Sequence, residues 1–204
     1  HIEILKLEEF GTALFIDSEL QVAEKDEKKY SGQFVNSALS LSKDNSSAAI
    51  IGGGDGGVAR ECLSKGFDLI DWYELDSEVV KVCQKHLPKI CGEVKANNNV
   101  KTYWGDAFES IKKVKDSKYD KIFVDLNDDQ FCIDLAAKNM KGLKRILKPG
   151  GVITAQVGCM SKKPKQVNNW LKVLSQNFGN STLDEVVVPS FDCRWNFASS
   201  IMNS

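Results

Sequence analysis

Residues Ala48–Gly57 read AAIIGGGDGG, and this stretch decides the fold of the 204-residue chain. Its apolar start is typical of a buried strand, and the glycines that follow end that strand in a turn. The next residues, VARECLSKGF, predict a helix, and residues 69–73 predict a second strand that leads into Glu74 and Asp76. An open parallel sheet uses this order of strand, glycine turn, helix, strand and carboxylate to hold the ribose and charged end of a nucleotide-like ligand.

The glycine turn differs from the usual dinucleotide-binding fingerprint because Asp55 stands in its middle. A carboxylate there would repel a pyrophosphate and attract a ribose-containing ligand with a cationic tail. Glycines let backbone N–H groups approach such a ligand closely. We expect four of them to bind it: Gly52, Gly53, Gly54 and Gly56. A simpler interpretation is that Asp55 only caps the following helix, although a cap alone does not account for the glycines and Glu74.

Length and composition are those of a single soluble globular domain with a small appendage. With 42% hydrophobic residues, 27% charged residues and a net charge of −1, nothing points to nucleic acid or to an anionic membrane surface. No apolar run reaches the roughly 20 residues of a membrane span, and no signal peptide is visible. The six cysteines are scattered and only two histidines are present. We therefore expect reduced thiols, no metal site and a cytoplasmic protein.

The order of the predicted elements indicates two regions. Residues 1–30 contain three short apolar alternations, which predict a small antiparallel β-hairpin region that we expect to be truncated. Residues 31–204 alternate strands with helices, which predicts a doubly wound, mostly parallel α/β sheet of the methyltransferase-like Rossmann type, closed by an antiparallel pair. We interpret the charged segment KDEKKY at residues 25–30 as a solvated turn, and Arg60 and the lysines around Pro164 as surface charges.

Acidic residues follow the ends of four predicted strands. Ligands of open α/β sheets bind beyond the carboxyl ends of the strands, so we expect these side chains to line one edge. Taken singly, each is open to interpretation as a helix cap or a solvated loop residue. Together they would repel phosphates and attract ammonium and sulfonium groups. The four are Asp55, Glu74, Asp106 and Asp125, with Asp128 and Asp129 close behind the last.

From about Phe10 to its end, the chain resembles the spermidine/spermine synthase family of polyamine aminopropyltransferases. The matching segments are ELQVAEKDEKKY, IIGGGDGGVARE, YELDSEVV, GDAF, FVDLNDD, LKPGG and VPSFDCRWNF. GGGDGG followed by E-x-D is fairly specific, whereas GDAF and LKPGG occur in many methyltransferase-like folds. The resemblance implies transfer of the aminopropyl group of decarboxylated S-adenosylmethionine, a co-substrate, to a polyamine, with release of methylthioadenosine. It implies neither a metal nor a permanently bound cofactor.

The resemblance also implies roles for particular residues. Asp125 matches the catalytic carboxylate of the family, and Asp128 matches the acid that holds the acceptor amine. Asp55 would face the aminopropyl ammonium at the border of the two substrates, Glu74 the ribose hydroxyls, and Asp106 the adenine amino group. The other implied pocket residues are Gln21 and Ala107 on the donor side and Tyr30, Phe191 and Trp195 on the acceptor side. Trp195 is equally open to interpretation as a core residue.

Several departures from the family pattern leave the acceptor open. Ser31 follows the tyrosine where a glutamine or histidine is common, Asp129–Gln130 replaces a proline-containing segment, and Phe191 replaces a tyrosine. Two alternative functions also remain. One is a polyamine N-methyltransferase that uses S-adenosylmethionine on the same fold, and the other is a catalytically silent paralogue that serves as a binding subunit. The small exposed strands favour a homodimer.

Overall fold

The computed structural model describes residues 1–203 and begins with a small three-stranded antiparallel sheet. Its strands, in the order β1-β2-β3, are β1 (Ile2–Leu7), β2 (Gly11–Ile16) and β3 (Glu19–Ala23). Leu14 and Val22 on this sheet pack against Val79 and Ile90, which are helical, and against Leu87 between the two helices. The small sheet is therefore held by its apolar face against the larger domain, since three short strands are only marginally stable alone.

The main sheet has seven strands in the order β6-β5-β4-β7-β8-β10-β9. The five strands from β6 to β8 are parallel, and β10 runs antiparallel to both of its neighbours. The predicted doubly wound, mostly parallel sheet with a closing antiparallel pair is confirmed. The strands are β4 (Ser47–Gly52), β5 (Leu69–Glu74), β6 (Val100–Trp104), β7 (Tyr119–Asp125), β8 (Leu147–Cys159), β9 (Ser181–Val188) and β10 (Cys193–Ile201).

Helices cover both faces of the main sheet, as a parallel sheet requires. They are α1 (Glu27–Leu41), α2 (Gly57–Ser64), α3 (Ser77–His86), α4 (Pro88–Cys91), α5 (Ala107–Ile111), α6 (Gln130–Ile146) and α7 (Pro164–Phe178). Alternation along β4 feeds both cores: Ile50 packs with residues of α1 and α2, whereas Ala49 and Ile51 pack with residues of α5, α6 and α7. No helix within residues 1–203 is long and apolar enough to cross a membrane.

Helix α1 begins earlier than the sequence suggested, at Glu27. The interpretation of KDEKKY as a solvated turn is therefore wrong, and the boundary that we drew between residues 30 and 31 falls inside this helix. Glu27 is 3% exposed, and its carboxylate accepts a hydrogen bond of 2.7 Å from Arg60 of α2. Arg60 also donates to the Ile90 carbonyl at 3.0 Å, so it joins α1, α2 and α4. Arg60 is thus not a solvated surface charge.

We predict that Arg60→Met lowers the free energy of unfolding by about 3 kcal/mol, because it leaves the Glu27 carboxylate buried without a cation. The matched control is Arg194→Met. Arg194 pairs with Glu185 at the same 2.7 Å, but both side chains are more than half exposed, so its loss should cost about 1 kcal/mol or less. Urea unfolding of both variants measures the difference. Equal losses would show that burial of the Glu27 pair has no energetic consequence.

Candidate active site

The glycine turn after β4 lies directly against the end of β7. The N–H of Gly53 donates to the carbonyl oxygen of Asp125 at 3.1 Å. A Cβ on Gly52, whose φ is +83°, would lie 2.3 Å from that oxygen, and a Cβ on Gly53 would lie 2.8 Å from Asp125 Oδ2. Only glycine permits this backbone conformation and this approach at Gly52. The turn therefore forms a side-chain-free floor beside the Asp125 carboxylate.

Asp125 is hydrogen-bonded to a tyrosine that comes from the start of α1. The Tyr30 hydroxyl donates to Asp125 Oδ1 at 2.7 Å. Burial raises the pKa of the Asp125 carboxyl to about 6, the hydrogen bond from Tyr30 opposes that rise, and the charges of Glu74 and Glu27 add to it. Burial and the negative Asp125 raise the pKa of Tyr30 well above its ordinary value. Near neutral pH Tyr30 is thus a donor, and Asp125 is a carboxylate able to accept a proton.

Asp55 has one carboxylate oxygen committed to the protein backbone. Its Oδ1 accepts from the N–H of Gly57, the first residue of α2, at 2.6 Å. The interpretation of Asp55 as a helix cap therefore accounts for only one of the two oxygens of this carboxylate. A Cβ on Gly57 would lie 2.2 Å from Glu27 Oε1 and 3.0 Å from Asp55 Oδ1, which places the two carboxylates together. Burial first, and then the charges of Glu27 and Asp125, raise the pKa of Asp55 well above its ordinary value.

Glu27 is a site residue that the sequence reasoning missed. The Ser31 hydroxyl donates to Glu27 Oε1 at 2.6 Å, and Arg60 Nη2 donates to the same oxygen at 3.0 Å. A signal for this burial was present in the sequence. Glu27 and Ser31 precede Phe34 and Ala38 at helical spacing, so the buried face of α1 extends backwards to Glu27. Ser31, noted only as a departure from the family, supports this second carboxylate.

The predicted donor side of the site centres on Glu74, which is 7% exposed. Its Oε1 accepts from the N–H of Asp76 at 2.9 Å, and a Cβ on Gly54 would lie 3.1 Å from its Oε2. Burial raises the pKa of this carboxyl. The Glu74 carbonyl also accepts from the N–H of Gly105 at 3.0 Å, which brings the turn before α5 next to the end of β5. Gly54 and Glu74 therefore belong to one surface.

Three of the predicted donor residues have structural contacts of their own. Asp106 is exposed and caps α5, since its Oδ1 accepts from the N–H of Phe108 at 2.7 Å, and Ala107 is the first residue of that helix. Gly56, with φ +80°, packs so closely that a Cβ would lie 2.7 Å from Cys91 Cβ. The Gln21 amide donates to the Glu19 carbonyl within β3 at 3.1 Å. No hydrogen bond among residues 1–203 joins Gln21 to the other candidates.

Aromatic side chains form the wall on the other side of Asp125. The Tyr30 ring lies 6.1 Å from that of Phe191 and 6.3 Å from that of Trp195, and the last two are 4.7 Å apart. Asp26 fixes this wall, because its carboxylate accepts from the N–H of Ser190 at 2.7 Å and so ties the Phe191 turn to the start of α1. Trp195 is partly buried and forms part of this wall together with Phe191.

Asp128 is ion-paired with Lys163 at 3.1 Å, and its side chain is only 15% exposed. The interpretation of the lysines near Pro164 as solvated charges is therefore wrong for Lys163. Asp128 also lies against β8, where a Cβ on Gly158 would be 2.6 Å from its Oδ2. Asp129 turns away from this contact and caps α6, accepting from the N–H of Cys132 at 2.8 Å.

The fold is therefore that of a methyltransferase-like Rossmann protein, and the carboxyl edge of its sheet gathers acidic side chains beside a glycine floor and an aromatic wall. Such an edge suits a nucleoside with a cationic tail next to an amine, so the fold and the edge are those of a group-transfer enzyme.

Comparisons with known proteins identify the family. The spermine/spermidine synthase domain matches residues 27–203. Polyamine aminopropyltransferases of Prochlorococcus marinus strains MIT 9215 and MIT 9301 are each 35% identical over 209 residues, covering 98% of this chain and 72% of the relative. The chain belongs to the spermine/spermidine synthase family and is an enzyme of the polyamine aminopropyltransferase class.

Solved structures agree with this fold. A spermidine synthase in complex with the transition-state analogue AdoDATO superposes with a TM-score of 0.91 at 19% identity, covering 98% of this chain and 69% of that one. The spermidine synthase of Thermotoga maritima gives 0.90 at 20% identity, covering 98% and 68%. The predicted methyltransferase-like Rossmann architecture is thus found in solved spermidine synthases.

We predict that Gly52→Ala destabilises the protein by several kcal/mol, because the added Cβ would collide with the Asp125 carbonyl as well as strain the turn. Gly150→Ala is the matched control. Gly150 has φ +75°, close to that of Gly52, but a Cβ there meets nothing within 4 Å, so only about 1–2 kcal/mol of left-handed strain applies. Urea unfolding separates the two. Similar losses would show that the close approach to Asp125 does not require glycine.

Proposed function

We propose that this enzyme transfers the aminopropyl group of decarboxylated S-adenosylmethionine to an amine of a polyamine, as a spermidine or spermine synthase, and that Asp125 is its catalytic base. The observation that carries the assignment of the base is the Asp125 carboxylate itself. It is partly buried, its pKa is raised to about 6, and it lies between the glycine floor and the hydroxyl of Tyr30. A base with a pKa near the working pH combines the ionised form with a useful affinity for a proton.

The donor would lie along the edge from Asp106 to Asp55. Glu74, buried at the tip of β5, is placed to accept from ribose hydroxyls, and Asp106 to accept from the adenine amino group. Asp55 would hold the ammonium of the aminopropyl group, with Glu27 close behind it. The remaining proposed donor residues are Gln21, Gly52, Gly53, Gly54, Gly56 and Ala107. Gly52 and Gly53 would let the reacting end of the donor approach Asp125.

The carboxylates also favour the decarboxylated donor over S-adenosylmethionine itself. The latter carries an extra carboxylate next to its ammonium, which would meet Asp55. Two like charges about 4 Å apart repel by about 4 kcal/mol at an effective dielectric constant near 20, which corresponds to about a thousandfold in affinity. Glu27 lies beside Asp55, but its charge is paired with Arg60, so Asp55 supplies the repulsion. An N-methyltransferase that used S-adenosylmethionine would have to overcome this repulsion.

The reaction needs a neutral amine in line with the carbon bonded to the sulfonium. The lone pair of the amine nitrogen forms the new C–N bond while the C–S bond breaks. The electron pair of the C–S bond goes to sulfur, which becomes neutral and leaves as methylthioadenosine. Freeing the lone pair of an alkylamine with a pKa of about 10.4 at pH 7 costs roughly 4–5 kcal/mol. Asp125 would take that proton directly or through water, while Tyr30, Phe191 and Trp195 enclose the acceptor chain and Asp128 faces its distal ammonium.

The assembly and location of the enzyme are further proposals. Leu183 and Val187 on the edge strand β9, and Ile201 on its neighbour β10, are exposed apolar residues, which supports a homodimer. The six cysteines are free thiols, which supports a cytoplasmic location. We also propose that residues 1–30 act as an appendage to the catalytic domain of residues 31–204, with helix α1 crossing between them.

Mass spectrometry of the products tests the function. Purified protein is offered decarboxylated or ordinary S-adenosylmethionine together with putrescine, cadaverine or spermidine in separate reactions. Methylthioadenosine together with an amine heavier by one aminopropyl group supports the proposal and names the acceptor. S-adenosylhomocysteine with a methylated amine would replace it with the N-methyltransferase. Donor binding without either product would instead indicate a silent binding subunit.

We predict that Asp125→Asn lowers kcat at least about 100-fold while the dissociation constant of the donor changes less than about threefold, because the amide cannot take the proton of the amine. Asp116→Asn removes an exposed carboxylate paired with Arg145 and serves as the control of equal charge change. Steady-state turnover and calorimetric donor binding provide the two readouts. A parallel loss of turnover and donor affinity would contradict the role of Asp125 as base.

We predict that kcat/KM falls as the pH drops through about 6, because Asp125 of the free enzyme becomes protonated there. Tyr30→Phe removes a hydrogen bond that lowers the pKa of Asp125, so the acid limb of the profile should move to higher pH. Phe34→Leu, which alters the ring packed beside Tyr30 without removing a hydroxyl, is the control. A limb that stays in place or moves to lower pH in Tyr30→Phe would show that this hydrogen bond does not set the pKa.

A further inference from the structure

The two sides of the site differ in how their carboxylates are neutralised. Among residues 1–203, no Lys or Arg nitrogen lies within 4 Å of the carboxylate of Asp55, Glu74 or Asp125, so these remain available to a cationic ligand. Asp128 is the exception on the acceptor side. Both of its oxygens lie 3.1 Å from Lys163 Nζ. The acid that would hold the acceptor's distal ammonium is thus already paired with an ammonium of the protein.

A tight turn at the end of β8 holds the backbone of Lys163 in place. The N–H groups of Lys162 and Lys163 donate to the Cys159 carbonyl at 3.1 and 2.7 Å, and Lys163 is the residue immediately before α7. Gly158 on the same strand lets the Asp128 carboxylate lie against the backbone. The lysine and its partner are therefore presented to each other by adjoining strand ends. The Lys163 side chain is 43% exposed, which leaves it room to move into solvent.

We propose that Lys163 sets acceptor specificity, because its ammonium occupies the carboxylate that the second ammonium of a polyamine would otherwise use. This inference rests on the proposed function, since it concerns the acceptor of that reaction. An incoming diamine must displace Lys163 from Asp128 and then remain close to a like charge. A monoamine has no second ammonium, so it meets neither obstacle. Lys163 therefore makes the preference of the enzyme for diamines over monoamines smaller than it would be without this lysine.

The test compares 1,4-diaminobutane with 1-aminobutane as acceptors in the wild type, Lys163→Met and Lys165→Met. Lys165 carries the same charge in the first turn of α7 and is exposed, so its substitution controls for the general loss of a positive charge. We expect Lys163→Met to raise kcat/KM for the diamine about tenfold through a lower KM, because it removes a competing ion pair and a like charge. In the same variant, kcat/KM for the monoamine and the KM of the donor should stay within about twofold of the wild-type values. All of these values should also stay within about twofold of wild type in Lys165→Met.

Calorimetric binding of 1,4-diaminobutane provides a second readout that does not need turnover, and Lys163→Gln provides a second variant. If wild-type protein releases no methylthioadenosine with any amine, the proposed function fails, and the tenfold tighter binding expected for both Lys163 variants still tests this inference. An unchanged or weaker diamine affinity in both variants would overturn it. An equal gain for the diamine and the monoamine would also overturn it, because that would make Lys163 a general obstacle rather than a specificity residue.

Discussion

The close approach of the glycine turn to Asp125 is the constraint on which the site depends. β4 and β7 are neighbours at the centre of the sheet, and at Gly52 even a methyl group would collide with the Asp125 carbonyl. Because no side chain separates the two strand ends, the proposed base and the proposed donor floor share one small volume. The aromatic wall adjoins the same volume, since Tyr30 reaches Asp125 from α1. Under the proposed function, donor and acceptor would therefore meet beside this carboxylate.

Grouping carboxylates in this way has an energetic cost that a cationic ligand would offset. A carboxyl with a pKa near 6 in the folded state and about 3.9 in the unfolded chain binds more protons when folded. Its contribution to stability is therefore full below pH 4 and is lost as the pH rises to about 6, which amounts to about 3 kcal/mol for Asp125. Arg60 prevents a similar cost at Glu27 by pairing with it. Asp55, Glu74 and Asp125 have no such cationic partner within residues 1–203, and they are the acids proposed to meet the donor and the reacting amine.

Much of the framework could be predicted from the sequence because it depends on local patterns. The apolar run, glycine turn and strand-end acids placed Asp55, Glu74 and Asp125 at one sheet edge without any knowledge of distant contacts. Ion pairs were missed, because Glu27 with Arg60 and Asp128 with Lys163 are each more than 30 residues apart in the chain. Charge type alone does not tell a solvated lysine from a paired one. Glu27 is paired with Arg60 because the start of α1 is buried, and Lys163 is paired with Asp128 because the turn after β8 places it there.

Under the proposed reaction, the acidic edge also favours release of the product. The donor enters with two positive charges, one on sulfur and one on the propyl amine, and both are attracted to the unpaired carboxylates. Breaking the C–S bond leaves a neutral thioether, and the propyl ammonium leaves with the lengthened polyamine. The nucleoside product therefore loses its electrostatic attraction to Asp55 and Glu74 in the chemical step itself. The carboxylates that attract the donor therefore no longer attract the nucleoside product by charge, and only hydrogen bonds and packing hold it.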